Sequence, residues 1–321
     1  DCSIGGNVAT NAGGPRCLKY GVTSDYVLGL ELVLPNGTIT RVGSRTHKNK
    51  TGFDFPRFFT GTEGLLCVVT EVTLKLLPLP PYRAALSVGM PSIAAAAKGL
   101  RRIFKAGFLP SALEIADEFT LKAATERTGS RRLSGCRGHL IVELDGQEKS
   151  VRSELRDVKR LLEPLKPRFV DQALGVEAVE AIWQLRREFS YSLRDTGLVK
   201  LNEDIVVPRG CLEKLLAFTD RLQKKHGMPV ACFGHAGDGN IHVNVMVNDT
   251  QAGHEQRRDA ALDELFRWVV KHDGVITGEH GIGIAKKRWW PLAAGPEVRR
   301  LHQTVKDALD PKGIMNPGKF L

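Results

Sequence analysis

The sequence predicts an α+β protein in two parts. A β-rich segment covers 1–80, and strands alternating with helices over a mostly antiparallel sheet cover 81–321. Three observations lead there. Apolar residues alternate at strand spacing near the start of the chain. Pro78, Pro80 and Pro81 then break the pattern and mark a boundary. Beyond them, short apolar runs alternate with stretches of helical period.

Residues 26–43 read as a β-hairpin. Leu28, Leu30, Leu32 and Leu34 alternate, Pro35-Asn36-Gly37 supplies the turn, and 38–42 return. After a polar loop over 46–52, the β-branched run 66–76 reads as a strand. Residues 84–90 form the next strand. Residues 92–106 read as a helix, with Ile93, Ala96, Ala97, Leu100, Ile103 and Phe104 near helical spacing. Segments 113–117, 139–144, 200–207, 230–234 and 241–247 read as strands, and 149–165, 183–191 and 209–225 as helices.

The net charge is +10, but the positive residues are dispersed and no basic tract carries interleaved aromatics, which argues against nucleic acid. Small anionic substrates fit the balance better. The six cysteines form no CxxC pair or framework, which points to a reducing, cytoplasmic setting. No apolar run approaches the length of a membrane span, and no targeting segment is visible.

The chemistry concentrates in Gly234-His-Ala-Gly-Asp-Gly-Asn-Ile-His242. On the strand 241–248, His242 and Asn244 fall on one face, and Ile241, Val243 and Val245 on the other. His242 and Asn244 are therefore expected to project away from the apolar layer. His235 lies an odd offset upstream, so only a turn at Gly237-Asp-Gly-Asn240 brings it back beside His242. Asp238 is expected to cap that turn. Paired imidazoles suit a divalent metal, with Glu279 of Gly278-Glu-His-Gly281 as third ligand. A His, His, Glu set leaves coordination positions open, and His280 would point at whatever fills them. The spacing alone also allows two hydrogen-bonded histidines in a glycine-rich turn.

These two stretches, with Met315-Asn-Pro-Gly-Lys319, resemble the C-terminal signature of FAD-linked 2-hydroxyacid dehydrogenases and oxidases. That group includes glycolate oxidase D subunits, D-lactate dehydrogenases and D-2-hydroxyglutarate dehydrogenases of the vanillyl-alcohol oxidase flavoprotein superfamily. The resemblance runs in order along the whole chain. It implies the C-terminal half of a PCMH-type FAD-binding domain over 1–80. It implies a ferredoxin-like α+β substrate and metal domain over 81–321, with a C-terminal helical segment whose last residues return to the flavin. The chain begins after the βαβ subdomain that cradles the FAD diphosphate in relatives, so an N-terminally truncated member is expected.

Residue by residue, the resemblance implies a flavin loop at 5–14, where Gly6, Asn7, Thr10, Asn11, Gly13 and Gly14 line the cofactor. The composition of that stretch alone reads as a tight loop of small residues. Glu63, Gly64 and Val69 match a second flavin-contacting segment, and Asn316 would contact the flavin edge. Cys67 departs from the glycine of many relatives and is expected to pack in the strand. Arg186 and Ser190 lie four apart on one helix. Spacing reads them as a solvated cationic face, whereas the resemblance makes them, with Lys200, the binders of a substrate carboxylate. Arg187 is the alternative to Arg186. Asn244 would hold a substrate or metal-bound oxygen.

The implied reaction is metal-assisted oxidation of a small D-2-hydroxy acid, of the D-lactate or glycolate type, to the 2-oxo acid. His280 acts as general base and hydride passes to FAD N5. Zinc fits the donor set, as do manganese and iron. The implied partners are the hydroxy acid, a separate electron acceptor (a quinone, a cytochrome or an electron-transfer flavoprotein) and further subunits. The expected location is the cytoplasm or the membrane periphery. The alternative is a non-catalytic, metal-stabilised scaffold without functional FAD binding.

Overall fold

A computed structural model describes residues 2–321, which divide into two compact units. The first comprises residues 2–14, 21–78 and 276–321, and the second 15–20 and 79–275. The C-terminal segment therefore groups with the β-rich start of the chain.

In the first unit, β1 (Val27–Val33) pairs antiparallel with β2 (Ile39–Gly43) and β3 (Val68–Leu74), in the order β2-β1-β3. The hairpin is the expected one. Gly37 closes its turn at φ +84°, a conformation that favours glycine. Leu30 and Leu32 of β1 pack with Val8, Phe59, Leu65, Leu66 and Cys67, and Val305 and Leu309 from the helix Pro296–Leu309 complete this core. Cys67 thus packs as expected, and burial pushes its thiol up to about 11.

The opening glycines differ from the expected loop. Ile4–Thr10 is a short helix whose N-terminus is capped by the Ser3 hydroxyl on the Gly6 amide, and which ends at Asn11 in the left-handed region, φ 52°. Ile4, Val8, Ala9 and Thr10 outweigh the two glycines once a serine cap is present.

The second unit is built on a seven-stranded sheet: β4 (Tyr82–Met90), β5 (Ala112–Asp117), β6 (Gly138–Gly146), β7 (Phe169–Leu174), β8 (Val199–Val206), β9 (Val230–His235) and β10 (Asn240–Val247). The order is β7-β4-β6-β5-β9-β10-β8, and every neighbouring pair is antiparallel. Sequence reading missed β7 and the helices Glu118–Thr128 and His254–Lys271, whose apolar positions are sparse among charged residues.

Helices cover both faces of this sheet. On one, Phe189 and Leu193 pack with Leu121 against Ala116, Ala231, Phe233 and Met246. On the other, Gly99 of Ile93–Lys105 lies so close to Leu140 and Leu162 that a Cβ there would stand 2.9 Å from each. The Cys232 thiol meets the Thr219 hydroxyl at 3.6 Å, which puts the helix Leu212–His226 on that second face.

Candidate active site

The hairpin of β9 and β10 sets the geometry of the histidines. His235 pairs with Asn240, and Phe233 with His242. Paired residues share a face, so His235, Phe233, Asn240, His242 and Asn244 all point the same way. The turn between the strands performs the reversal expected of Gly237-Asp-Gly-Asn240, and Asp238 caps it by accepting the Asn240 amide at 3.2 Å. The two imidazoles stand 5.7 Å apart, nearly perpendicular.

One expectation is corrected in part. His242 and Asn244 do fall on the face opposite Ile241, Val243 and Val245, yet that face is not open either: all eight residues of β10 are buried. The face that carries the histidines is roofed by the helix Val176–Ser192, so both faces of the strand are covered. The Asn244 amide donates to the Ala231 and His242 carbonyls at 3.0 and 3.1 Å, while its Oδ1 is buried without a hydrogen-bond partner among the described residues.

Arg186 supplies a second correction. Spacing placed it on a solvated face, yet it is buried. Its Nε donates to Glu114 Oε2 at 2.6 Å, and its guanidinium lies 4.7 Å from the centre of the Phe233 ring. The other oxygen of Glu114 faces His235 Nδ1 at 2.5 Å. Burial alone would raise the Glu114 pKa, but the facing imidazole and guanidinium hold it well below the usual carboxylate range. The carboxylate thus meets the ring at Nδ1, on a side chain that is itself buried. Sequence reasoning missed Glu114. The one signal was a lone acid in the apolar run 112–116.

Lys200 lies on β8, with its Nζ donating to Ser190 Oγ at 2.7 Å and 5.5 Å from the Phe233 ring centre. Burial, aided by Arg194 and Arg186, pulls its pKa down to about 8. Arg186, Ser190, Lys200, Asn244, His235 and His242 are thus gathered on one face of the second unit. Arg187 is turned away, in exposed contact with Glu180 and Gln184. His139 is buried on the same face. Its ring bonds the Ser87 hydroxyl at 2.8 Å, and burial beside Arg186 lowers its pKa to about 3.

Glu279 and His280 sit in the first unit, in an irregular loop. Glu63 anchors that loop from within the same unit. Its two oxygens accept the amides of Ile282 and Gly283, each at 2.8 Å. Asn316 donates in turn to the Glu63 carbonyl at 2.5 Å. Glu63 itself is held at φ 51° and Gly64 at φ 69°.

The other residues expected to line a flavin belong to the same unit. Thr10 donates to the Gly6 carbonyl at 3.3 Å, Asn7 reaches the Cys2 sulfur at 3.7 Å, and Asn11 accepts the Ser24 amide at 2.8 Å. Val69 pairs with Leu32 and packs on the first unit's core. Gly13 and Gly14 follow the short helix, half-buried. A Cβ built on Gly5 or Gly14 would meet nothing within 4 Å.

Comparison with known proteins follows this geometry. The pattern of the C-terminal domain of FAD linked oxidases matches residues 79–320, and that of an FAD binding domain matches 1–43. The glycolate oxidase subunit GlcD of Bacillus subtilis is 33% identical over 99% of this chain and 68% of its own length. The Escherichia coli K12 subunit of that name is 34% identical over 99% of this chain and 64% of its own. A D-lactate dehydrogenase of Anaerostipes hadrus is 30% identical over 99% and 69%. The chain therefore spans about two thirds of the length of these relatives.

Among solved structures, 4-ethylphenol oxidase from Gulosibacter chungangensis superposes with a TM-score of 0.73 at 15% identity, over 99% of this chain and 70% of its own. A p-cresol methylhydroxylase gives 0.71 at 17%, over 92% and 65%. At such identities the likeness shows a shared fold, the PCMH-type flavoprotein fold expected from the sequence. No helix among the described residues is long and apolar enough to cross a membrane. The domain match over most of the chain, together with relatives above 30% identity along nearly all of it, shows that the chain belongs to the FAD-linked oxidases, a family of oxidoreductases acting on CH–OH donors.

Proposed function

We propose that this chain carries the substrate and metal side of an FAD-dependent oxidation of a small D-2-hydroxy acid to its 2-oxo acid. The observation that carries the reading is the grouping of buried Arg186, His235 and His242 with half-buried Lys200 and Ser190 on one face. Two cations beside two imidazoles suit a carboxylate next to an oxygen that a metal polarises.

The donor set fits a divalent metal. His235 is backed by a carboxylate on Nδ1, the arrangement that fixes the tautomer of metal-binding histidines. His235, His242 and Glu279 are the proposed ligands. Zinc suits them, and manganese or iron are compatible with the same donors. The buried Oδ1 of Asn244 is an acceptor suited to a substrate hydroxyl. Arg186, Ser190 and Lys200 bind and orient the carboxylate, and His280 takes the hydroxyl proton at its ring nitrogen.

The first unit's glycines fit a flavin. Gly5 and Gly14 have ordinary φ angles and no protein atom excludes a side chain there, so the fold itself does not require glycine. Close approach of a flat ligand would. When bound, FAD supplies the two-electron acceptor, and a separate carrier then takes the electrons. Gly6, Asn7, Thr10, Asn11, Gly13, Gly14, Glu63, Gly64, Val69 and Asn316 are proposed to line it, several through their backbone.

The test is reduction of an artificial electron-accepting dye by the FAD- and zinc-supplemented chain, with D-lactate and glycolate as donors. Turnover with either acid, lost in Arg186→Ala, supports the reading. Flavin retained with no turnover on any 2-hydroxy acid contradicts it.

A further inference from the structure

We propose that Glu114 is a positioning residue that ties the His235 imidazole to the Arg186 guanidinium, so that metal occupancy and carboxylate binding are felt at one another. The proposal rests on the reading above, in which His235 binds a metal and Arg186 a carboxylate.

The placement follows from strand register. β5 and β9 pair only at Ile115↔Gly234 and Ala116↔Phe233. Ala116 and Phe233 share a face, so the next residues on that face are Glu114 and His235, just where the ladder ends. Beyond the ladder the Gly237 amide donates to the Leu113 carbonyl at 3.0 Å, and the carboxylate adds a side-chain tie beside that bond. Glu114 is 1% exposed and spends one oxygen on each partner, at 2.5 Å to His235 Nδ1 and 2.6 Å to Arg186 Nε.

His235 turns its Nδ1 to the carboxylate. Arg186 makes no other hydrogen bond among the described residues, so its terminal nitrogens remain for the two oxygens of a carboxylate. Glu143, elsewhere on the same sheet, shows what a purely structural buried acid looks like. Its oxygens are shared among Arg16, Arg83, Ser111 and the Trp183 indole, and Arg16 is held through both Nε and Nη2. Glu114 instead aligns two side chains from different elements, a strand end and a helix, whose functional atoms lie on one face.

The test uses the full chain as wild type, Glu114→Gln and Glu114→Asp. Zinc affinity is measured by chelator competition, and pyruvate binding by calorimetry with and without zinc, all below each variant's melting midpoint. Glu114→Gln is expected to weaken zinc binding by about 10- to 100-fold, to weaken pyruvate binding, and to abolish the effect of zinc on pyruvate affinity. Glu114→Asp keeps the charge but cannot span both partners, so it is expected to show the same losses; it carries the test if the glutamine variant does not fold. Zinc affinity unchanged in the variants, or zinc lost with pyruvate binding intact, overturns the proposal. A wild-type chain that binds neither zinc nor pyruvate overturns instead the reading on which it rests.

Discussion

Lys200 donates to the Ser190 hydroxyl at 2.7 Å, from a strand to the helix that roofs it. Its pKa, lowered to about 8 mainly by burial, makes its charge sensitive to pH in the working range. Lys200 loses its proton as pH rises through about 8, so a carboxylate loses one of its cations. The KM for the hydroxy acid is expected to be flat below that pH and to rise above it, by up to about tenfold per pH unit. Lys200→Met is expected to raise KM and remove the alkaline limb; an unchanged limb would place its origin elsewhere.

The same shift has a stability consequence of known sign. The folded pKa lies below the unfolded value of 10.5, so the cost of burying the ammonium is fully present below about pH 8. It is relieved as pH rises from there toward 10.5. Urea denaturation of wild type against Lys200→Met is expected to show the variant's advantage shrinking over that window.

Glu63 anchors the loop that carries Glu279 and His280 through the amides of Ile282 and Gly283. Glu63→Ala leaves both without their charged acceptor, at a cost of about 1–3 kcal/mol. The expected signature is faster hydrogen exchange at those two amides together with a lower denaturation midpoint. Gly281→Ala is expected to act alike, since its Cβ would stand 2.6 Å from Glu63 Oε1 at a backbone φ of +79°.

His280→Ala is expected to lower kcat by about 10²- to 10⁴-fold, the usual worth of a general base. Zinc content and pyruvate affinity should be retained. Loss of zinc in that variant would make His280 a ligand or a structural residue.

Much of this was legible in the chain. The hairpin of β1 and β2 announced itself through alternating leucines and an Asn-Gly turn, both local signals. The convergence of His235 and His242 followed from glycine at the turn and the two-residue period of strands. Burial was not legible, because whether a strand face meets water or a helix depends on segments distant in sequence. That is why Arg186, at a helical spacing that fits a solvated face, is instead buried against Glu114. Glu114 itself has no motif around it; its role arises from a register 121 residues away. The helix Ile4–Thr10 hid behind its two glycines.

Elemental analysis of the wild-type chain against the His235→Ala and His242→Ala variants, each purified with added zinc and then desalted, bears most directly on the site. Bound zinc in the wild type that is lost in both variants, with their folds intact by circular dichroism, is the result expected here. Equal zinc in all three proteins, or none in the wild type, would contradict a metal held by this pair of imidazoles.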